Sequence, residues 1–154
     1  MTDTPTPDLP AGYEISADTA RIDAARVHTW LSTDSYWAMD RPREVQDRAI
    51  AGSLNFGVYD SVSGDQVAYA RVVTDHTTFA WLCDVYVSPA VRGKRIGVAL
   101  IAAVRDHLAP YRLRRVMLAT ADAHALYEKF GFEPLTDPEK WMVLGSPVNT
   151  PATP

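Results

Sequence analysis

The sequence predicts an α+β domain in which helices flank one central sheet. Three observations carry this. Val- and Tyr-rich runs at 54–60, 66–73 and 78–87 are separated by short polar turns, which makes an antiparallel meander. The pattern then changes from period two to helical spacing at Ile96. Afterwards strand and helix alternate to the end of the ordered pattern.

Tyr13–Ser16 reads as a first strand. Asp18 is a suitable N-cap for a helix running to about Ser32 with Ile22, Ala25 and Trp30 facing inward. Ser32–Met39 is a polar and aromatic loop, and Pro42 sits at the first turn of a second helix, about Pro42–Gly52. Leu54–Asp60, Gln66–Val73 and Thr78–Val87 form the meander, which Pro89 ends. A helix follows at Ile96–Ala109, stopped by Pro110, then a strand at Leu113–Ala119. Asp122 is expected to cap a short helix, about Ala123–Phe130, with Gly131 as its C′ residue. Phe132–Leu135 and Lys140–Leu144 read as terminal strands. Residues 12–145 are expected to form one domain between loose, Pro-rich tails at 1–11 and 146–154.

The 154 residues, 47% of them hydrophobic, suffice for one sizeable core. A net charge of −4 argues against nucleic acid as the main partner. The charge is uneven, because Arg92, Lys94, Arg95, Arg105, Arg112, Arg114 and Arg115 crowd one segment with Asp106 as the only acid. This suggests a local anionic ligand. Cys83 is the single cysteine, so an intrachain disulfide is excluded. No apolar run approaches the roughly 20 residues of a membrane span, and the start lacks a secretory pattern. A cytoplasmic location is expected. His28, His76 and His107 show no metal-ligand spacing, and no metal is expected.

The informative stretch is Asp84-Val-Tyr-Val-Ser-Pro-Ala-Val-Arg-Gly-Lys-Arg-Ile-Gly-Val-Ala-Leu100, where a strand ends, a basic turn follows and an amphipathic helix begins. Unpaired amides at a helix start bind phosphates. Gly93 and Gly97 allow close approach, and Arg92, Lys94 and Arg95 add charge. A solvated basic turn is the bland alternative. The stretch is neither a P-loop nor a Gly-x-Gly-x-x-Gly fingerprint.

Val91–Leu100 resembles the acyl-CoA loop of the GCN5-related N-acetyltransferases (GNAT), whose pattern is Gln/Arg-x-x-Gly-x-Gly/Ala. Arg92 matches its first position and Gly97 its last. Arg95 stands where the middle glycine usually is, and a helix-type backbone there accepts a side chain. Ala125-Leu-Tyr-Glu-Lys-Phe-Gly-Phe132 resembles the family's late Leu-Tyr-x-Lys-x-Gly-Phe segment, and Asp84–Val87 the strand before the loop.

The resemblance implies splayed fourth and fifth strands, with acetyl-CoA held between them. It implies contacts from Val85, Tyr86, Val87, Arg92, Gly93, Lys94, Arg95, Ile96, Gly97, Val98, Ala99, Thr120 and Tyr127. Thr120 replaces a frequent asparagine. The Val85 N–H would polarise the thioester carbonyl, and the acceptor would attack directly. A lysine-like amine is mostly protonated at neutral pH, so a base or desolvating pocket is required. Asp84 is the first candidate base, unless it only organises its strand; Glu44 is a weaker one, read more simply as a surface residue. Tyr127 matches the acid that protonates the departing thiolate, against a packing role. Tyr36, Trp37 and Phe56 are candidates for an aromatic acceptor wall, or for packing between helices and sheet. A primary amine of a small molecule or peptide is the expected acceptor. An acyl-CoA-binding module without turnover is the alternative. A homodimer is common in the family, and nothing in the sequence demands one.

Overall fold

A computed structural model describes residues 9–145, so the expectations for 1–8 and 146–154 lie outside the described residues. Five strands form one sheet in the order β1-β2-β3-β4-β5. β1 (Tyr13–Ser16), β2 (Leu54–Asp60), β3 (Gln66–Thr74) and β4 (Phe79–Val87) pair antiparallel, and β5 (Arg115–Met117) lies parallel to β4. The helices are α1 (Ala24–Asp34), α2 (Arg43–Ala51), α3 (Ile96–Leu108) and α4 (His124–Glu128).

The sheet buries both faces. On one, Phe56, Val58, Ala68, Ala70, Val72, Ala80 and Leu82 pack against Ile96, Leu100, Ile101 and Val104 of α3. On the other, Tyr69 and Tyr86 pack with Val27 and Leu31 of α1 and Ile50 of α2. Strands covered on both sides read as continuous apolar runs, which is why 54–60 and 66–73 lack clean alternation.

Register slips between Tyr69 and Arg71, where Asp84 on β4 adopts φ 52°. One extra residue in a strand reverses the side-chain alternation beyond it. Leu82 points to the α3 face before the bulge, and Val85 and Val87 pack there after it, while Tyr86 joins the α1 side.

β4 and β5 pair only at Phe79–Arg115, Ala80–Val116 and Trp81–Met117. Beyond Trp81 the two strands part, so the β5-facing edge of Leu82–Val87 has no strand partner. The expected splay of strands 4 and 5 is therefore present.

Several expected elements differ. Asp122 does not cap the short helix after β5, whose N-cap is Ala123 and which shortens to His124–Glu128. The first helix divides: Asp18 caps only a 3-10 turn over Thr19–Arg21, and Asp23 caps α1 by accepting from Arg26 N. The later cap governs because the Asp23 N–H is tied to Gln66 Oε1 of β3 at 2.8 Å. The strand expected over Leu113–Ala119 shortens to Arg115–Met117. Phe132–Leu135 and Lys140–Leu144 are not strands. The Trp141 ring lies 5.0 Å beneath the Arg115 guanidinium, close to β5 but in no ladder with it, and Met142, Val143 and Leu144 are exposed.

Candidate active site

The turn between β4 and α3 is built by its backbone. Gly93 has φ +83°, and a Cβ added there would meet nothing within 4 Å, so backbone conformation alone selects glycine. Arg95, the N-cap of α3, has φ 63° and ψ 21°. The helix-type backbone expected at 95 is thus corrected: the residue is left-handed, the region where a glycine is favoured and a side chain costs about 1–2 kcal/mol. The α3 ladder begins with Ala99 N to Arg95 O at 3.1 Å. The amides of Ile96, Gly97 and Val98 therefore have no partner within the helix and form the positive end of its dipole. A Cβ on Gly97 would lie 3.4 Å from Val87 Cγ2, at ordinary contact distance, which places the start of α3 beside the end of β4. A depression of about 320 Å³ lies at this corner, lined by Val87, Arg92, Gly93, Arg95, Gly97 and Val98 among others.

Two of the basic side chains are tied back. Arg92 Nε donates to Val87 O at 3.0 Å, and its guanidinium lies over the Tyr86 ring and 3.4 Å from Asp34 Oδ2. Lys94 Nζ reaches Tyr13 Oη at 3.3 Å. Tyr86 itself turns to the α1 side, donating to Asp34 Oδ2 at 2.6 Å and stacking on Trp30. Burial and the Asp34 carboxylate push its phenol up to about 12. Of Tyr86, only the backbone belongs to the open edge of β4.

Tyr127, on α4, faces a cavity of about 1310 Å³ that is also lined by Leu82, Ile101, Met117, Thr120 and His124. Its ring meets Phe132 edge to face. Burial, with Tyr36 and Asp122 nearby, pushes its phenol up to about 12, so it is protonated at neutral pH. Thr120 spends its hydroxyl locally, accepting from Ala123 N at 3.1 Å at the entry to α4.

The loop after α1 spans the mouth of the splay. Trp37 Nε1 donates to Asp84 Oδ1 at 3.1 Å, and Tyr36 Oη accepts from Ala121 N at 2.8 Å, beyond β5. The two rings pack edge to face at 5.0 Å. Of the expected aromatic wall, Tyr36 and Trp37 stand together. Phe56 does not join them: it is buried on the opposite face of the sheet, edge-on to His107. Glu44 is exposed on α2.

Asp84 is not a free carboxylate, which corrects its reading as an available base. The αL backbone at the bulge turns its side chain inward, where it is 1% exposed. Oδ2 accepts from Arg41 NH1 and from Arg71 Nε, each at 2.8 Å. Burial raises its pKa, but Arg41 and Arg71 outweigh burial and hold it below the ordinary carboxylate value. Such a group is ionised at neutral pH and a weak proton acceptor. Sequence reading missed its partners Arg41 and Arg71. A signal was present for Arg71: a charge inside the apolar run Gln66–Val73, like Asp84 inside Thr78–Val87, demands a partner once buried. Arg41, in a loop, gave none. Cys83, beside the cluster, has its thiol pushed up to about 11 by burial, which suits a packed residue rather than a nucleophile.

A sheet that opens beside a left-handed turn, with helix amides free of helical partners at the mouth, has the geometry of a class of protein suited to a phosphate-bearing, extended ligand between two strands. Comparison with known proteins is specific. Residues 22–132 match the Acetyltransferase (GNAT) family, and the chain belongs to that family, whose members transfer an acetyl group from acetyl-CoA. It is 31% identical over 135 residues to a candidate acetyltransferase of Gibberella zeae, covering 76% of each chain. A candidate GNAT acetyltransferase from Xanthomonas campestris pv. campestris is 43% identical, covers 91% of this chain and 96% of its own, and superposes with a TM-score of 0.84. Rv2747 of Mycobacterium tuberculosis, crystallised with CoA, shares the fold at 17% identity, with a TM-score of 0.64 over 79% of this chain and 72% of its own.

Proposed function

We propose that this chain is an acetyl-CoA-dependent N-acetyltransferase that acetylates a primary amine of a small molecule or peptide by direct attack. The observation that carries the proposal is the pairing of the uncommitted Ile96, Gly97 and Val98 amides with Tyr127 across one splayed sheet.

Acetyl-CoA supplies the acetyl group as a thioester. The residues present fit it. The α3 N-terminus and the depression beside Gly93 and Arg95 suit a pyrophosphate, and the unpaired edge of Val85–Val87 suits an extended amide-bearing arm. Val85 N–H is the proposed donor to the thioester carbonyl. Arg92 braces the turn through Val87 O rather than serving only as loose charge.

Tyr127 is the proposed partner of the leaving sulfur. Its phenol at about 12 stands well above a thiol of about 8.5, so complete transfer to a thiolate is roughly a few thousandfold unfavourable. It therefore acts as a hydrogen-bond donor that stabilises the sulfur. The proton released when the amine becomes an amide then neutralises the thiolate, and the balance closes without a covalent enzyme species. Asp84, held by two arginines, positions the acceptor side rather than taking that proton. Tyr36 and Trp37 close the mouth over the acceptor, where exclusion of water favours the neutral amine.

The test is calorimetric titration with acetyl-CoA, followed by an acceptor panel read by free-thiol release. Binding with turnover on at least one amine is expected. No acetyl-CoA binding sinks the proposal, and binding without turnover on any amine supports the non-catalytic CoA-binding module instead.

A further inference from the structure

The cluster at the β4 bulge carries more positive than negative charge. Asp84 is the carboxylate, and Arg41 and Arg71 are both bound to it. Their other side-chain partners are neutral: Arg41 NH1 donates to Gln46 Oε1 at 2.9 Å, and Arg71 NH1 donates to Ser53 Oγ at 3.1 Å. No second carboxylate forms an ion pair with either arginine among the described residues. The cluster is thus one guanidinium in excess. Its accessible part is cationic too, since the arginine side chains are 10% and 14% exposed while Asp84 is 1% exposed. Partly buried positive charge in excess is costly unless an anion meets it.

The cluster also adjoins Val85, the proposed donor to the thioester carbonyl. Asp84 immediately precedes Val85, and its other oxygen is held by Trp37 of the loop that crosses the splay to Ala121. Gln46 adds a neutral donor: its Oε1 is used by Arg41, which fixes its Nε2 as the buried amide nitrogen without a partner.

We infer that the acceptor brings the balancing charge: it is an amine that also carries a carboxylate, seated on the guanidiniums of Arg41 and Arg71. A planar, singly charged carboxylate matches the guanidinium fork and the excess of one charge. This deepens the N-acetyltransferase reading and rests on it.

The test uses reaction products, so that it does not depend on turnover. N-acetylglycine, N-acetylphenylalanine and N-acetylglutamate, each beside its primary amide, are titrated into the full chain saturated with CoA. At least one acid should bind ten times or more tighter than its amide, and raising sodium chloride should weaken the acid and leave the amide unchanged. Arg71→Gln should remove the preference while CoA still binds. Arg71→Lys keeps the charge and should leave a reduced preference, which serves if Arg71→Gln does not fold. Equal affinities within each pair, a preference for the amides, or no binding of any acid at millimolar concentration overturns the inference. Tighter binding of phosphoethanolamine than of every acid also overturns it, in favour of a phosphate-bearing acceptor. Failure of the parent reading looks different: CoA itself does not bind, or no amine of any charge releases thiol. If only the inference fails, amines lacking a carboxylate are turned over as fast as those that carry one.

Discussion

Replacing Asp84 with Asn keeps size, shape and tolerance of the left-handed backbone at φ 52°, and removes only the charge. Two guanidiniums would then face each other across an amide that cannot satisfy both. Breaking a buried ion pair typically costs about 3–5 kcal/mol. The arginines retain some contact with solvent, so the lower end applies, about 3 kcal/mol. For a domain of this size that lowers Tm by roughly 6–12 °C. Urea unfolding followed by circular dichroism measures the loss. The pH dependence adds a second check. Because the folded pKa lies below the ordinary 3.8, the carboxylate's contribution is fully present above that value and is lost as pH falls through the folded pKa. The gap between wild type and Asp84→Asn should therefore be level from pH 8 to 5 and shrink below about pH 4. Asp47→Asn, at an exposed pair on α2, is the control and should change stability by no more than about 0.5 kcal/mol. An Asp84→Asn cost as small as the control's would refute the reasoning.

Tyr127→Phe, which removes the donor to the leaving sulfur, should lower kcat by about 100-fold or more while acetyl-CoA affinity stays within about twofold; an unchanged kcat removes Tyr127 from the chemistry. With the phenol raised to about 12 by burial, the rate should show no alkaline fall assignable to Tyr127 below pH 10, as read from a kcat–pH profile compared with Tyr127→Phe. Gly93→Ala should destabilise by about 1–2 kcal/mol in thermal unfolding, because the strain at φ +83° is not relieved by any space around it. Tyr36→Phe, losing the bond from Ala121 N, should raise the acceptor KM and leave acetyl-CoA binding alone in steady-state kinetics.

What the sequence disclosed followed from local rules. The bounds of β2 and the start of α3 were legible because turn residues and a change of period mark them. The terminal strands were not, although Trp141–Leu144 has strand composition, because a strand requires a ladder partner and composition says nothing about one. For Phe56 both an acceptor-wall and a packing role were open, and it packs between sheet and α3, because the face it takes depends on three-dimensional packing and not on aromatic character. The turn proposed for the donor was readable, since it is one contiguous segment. The Asp84 cluster was not, since it joins two neighbouring strands to Arg41, a loop residue 43 positions from Asp84 in the chain.

Arg95 poses the sharpest conflict between local propensity and the site. A left-handed residue at the N-cap of α3 sets the direction of the Ile96–Val98 amides, the proposed pyrophosphate site, and glycine would reach that conformation without strain. Arg95→Gly removes a backbone cost of about 1–2 kcal/mol and adds about 0.5–1 kcal/mol of unfolded-chain entropy. The variant should therefore be as stable as the wild type or more stable by up to about 1.5 kcal/mol in urea unfolding. Its acetyl-CoA affinity then separates two roles for the side chain. If only the backbone matters, affinity is unchanged. If the guanidinium meets a phosphate, affinity falls by about tenfold and the loss shrinks at high salt, since an exposed contact to a charged group is screened. Because Arg95 is among the residues that line the depression, the second result is expected. A variant both less stable and unchanged in affinity would mean that the left-handed backbone is not what holds the turn.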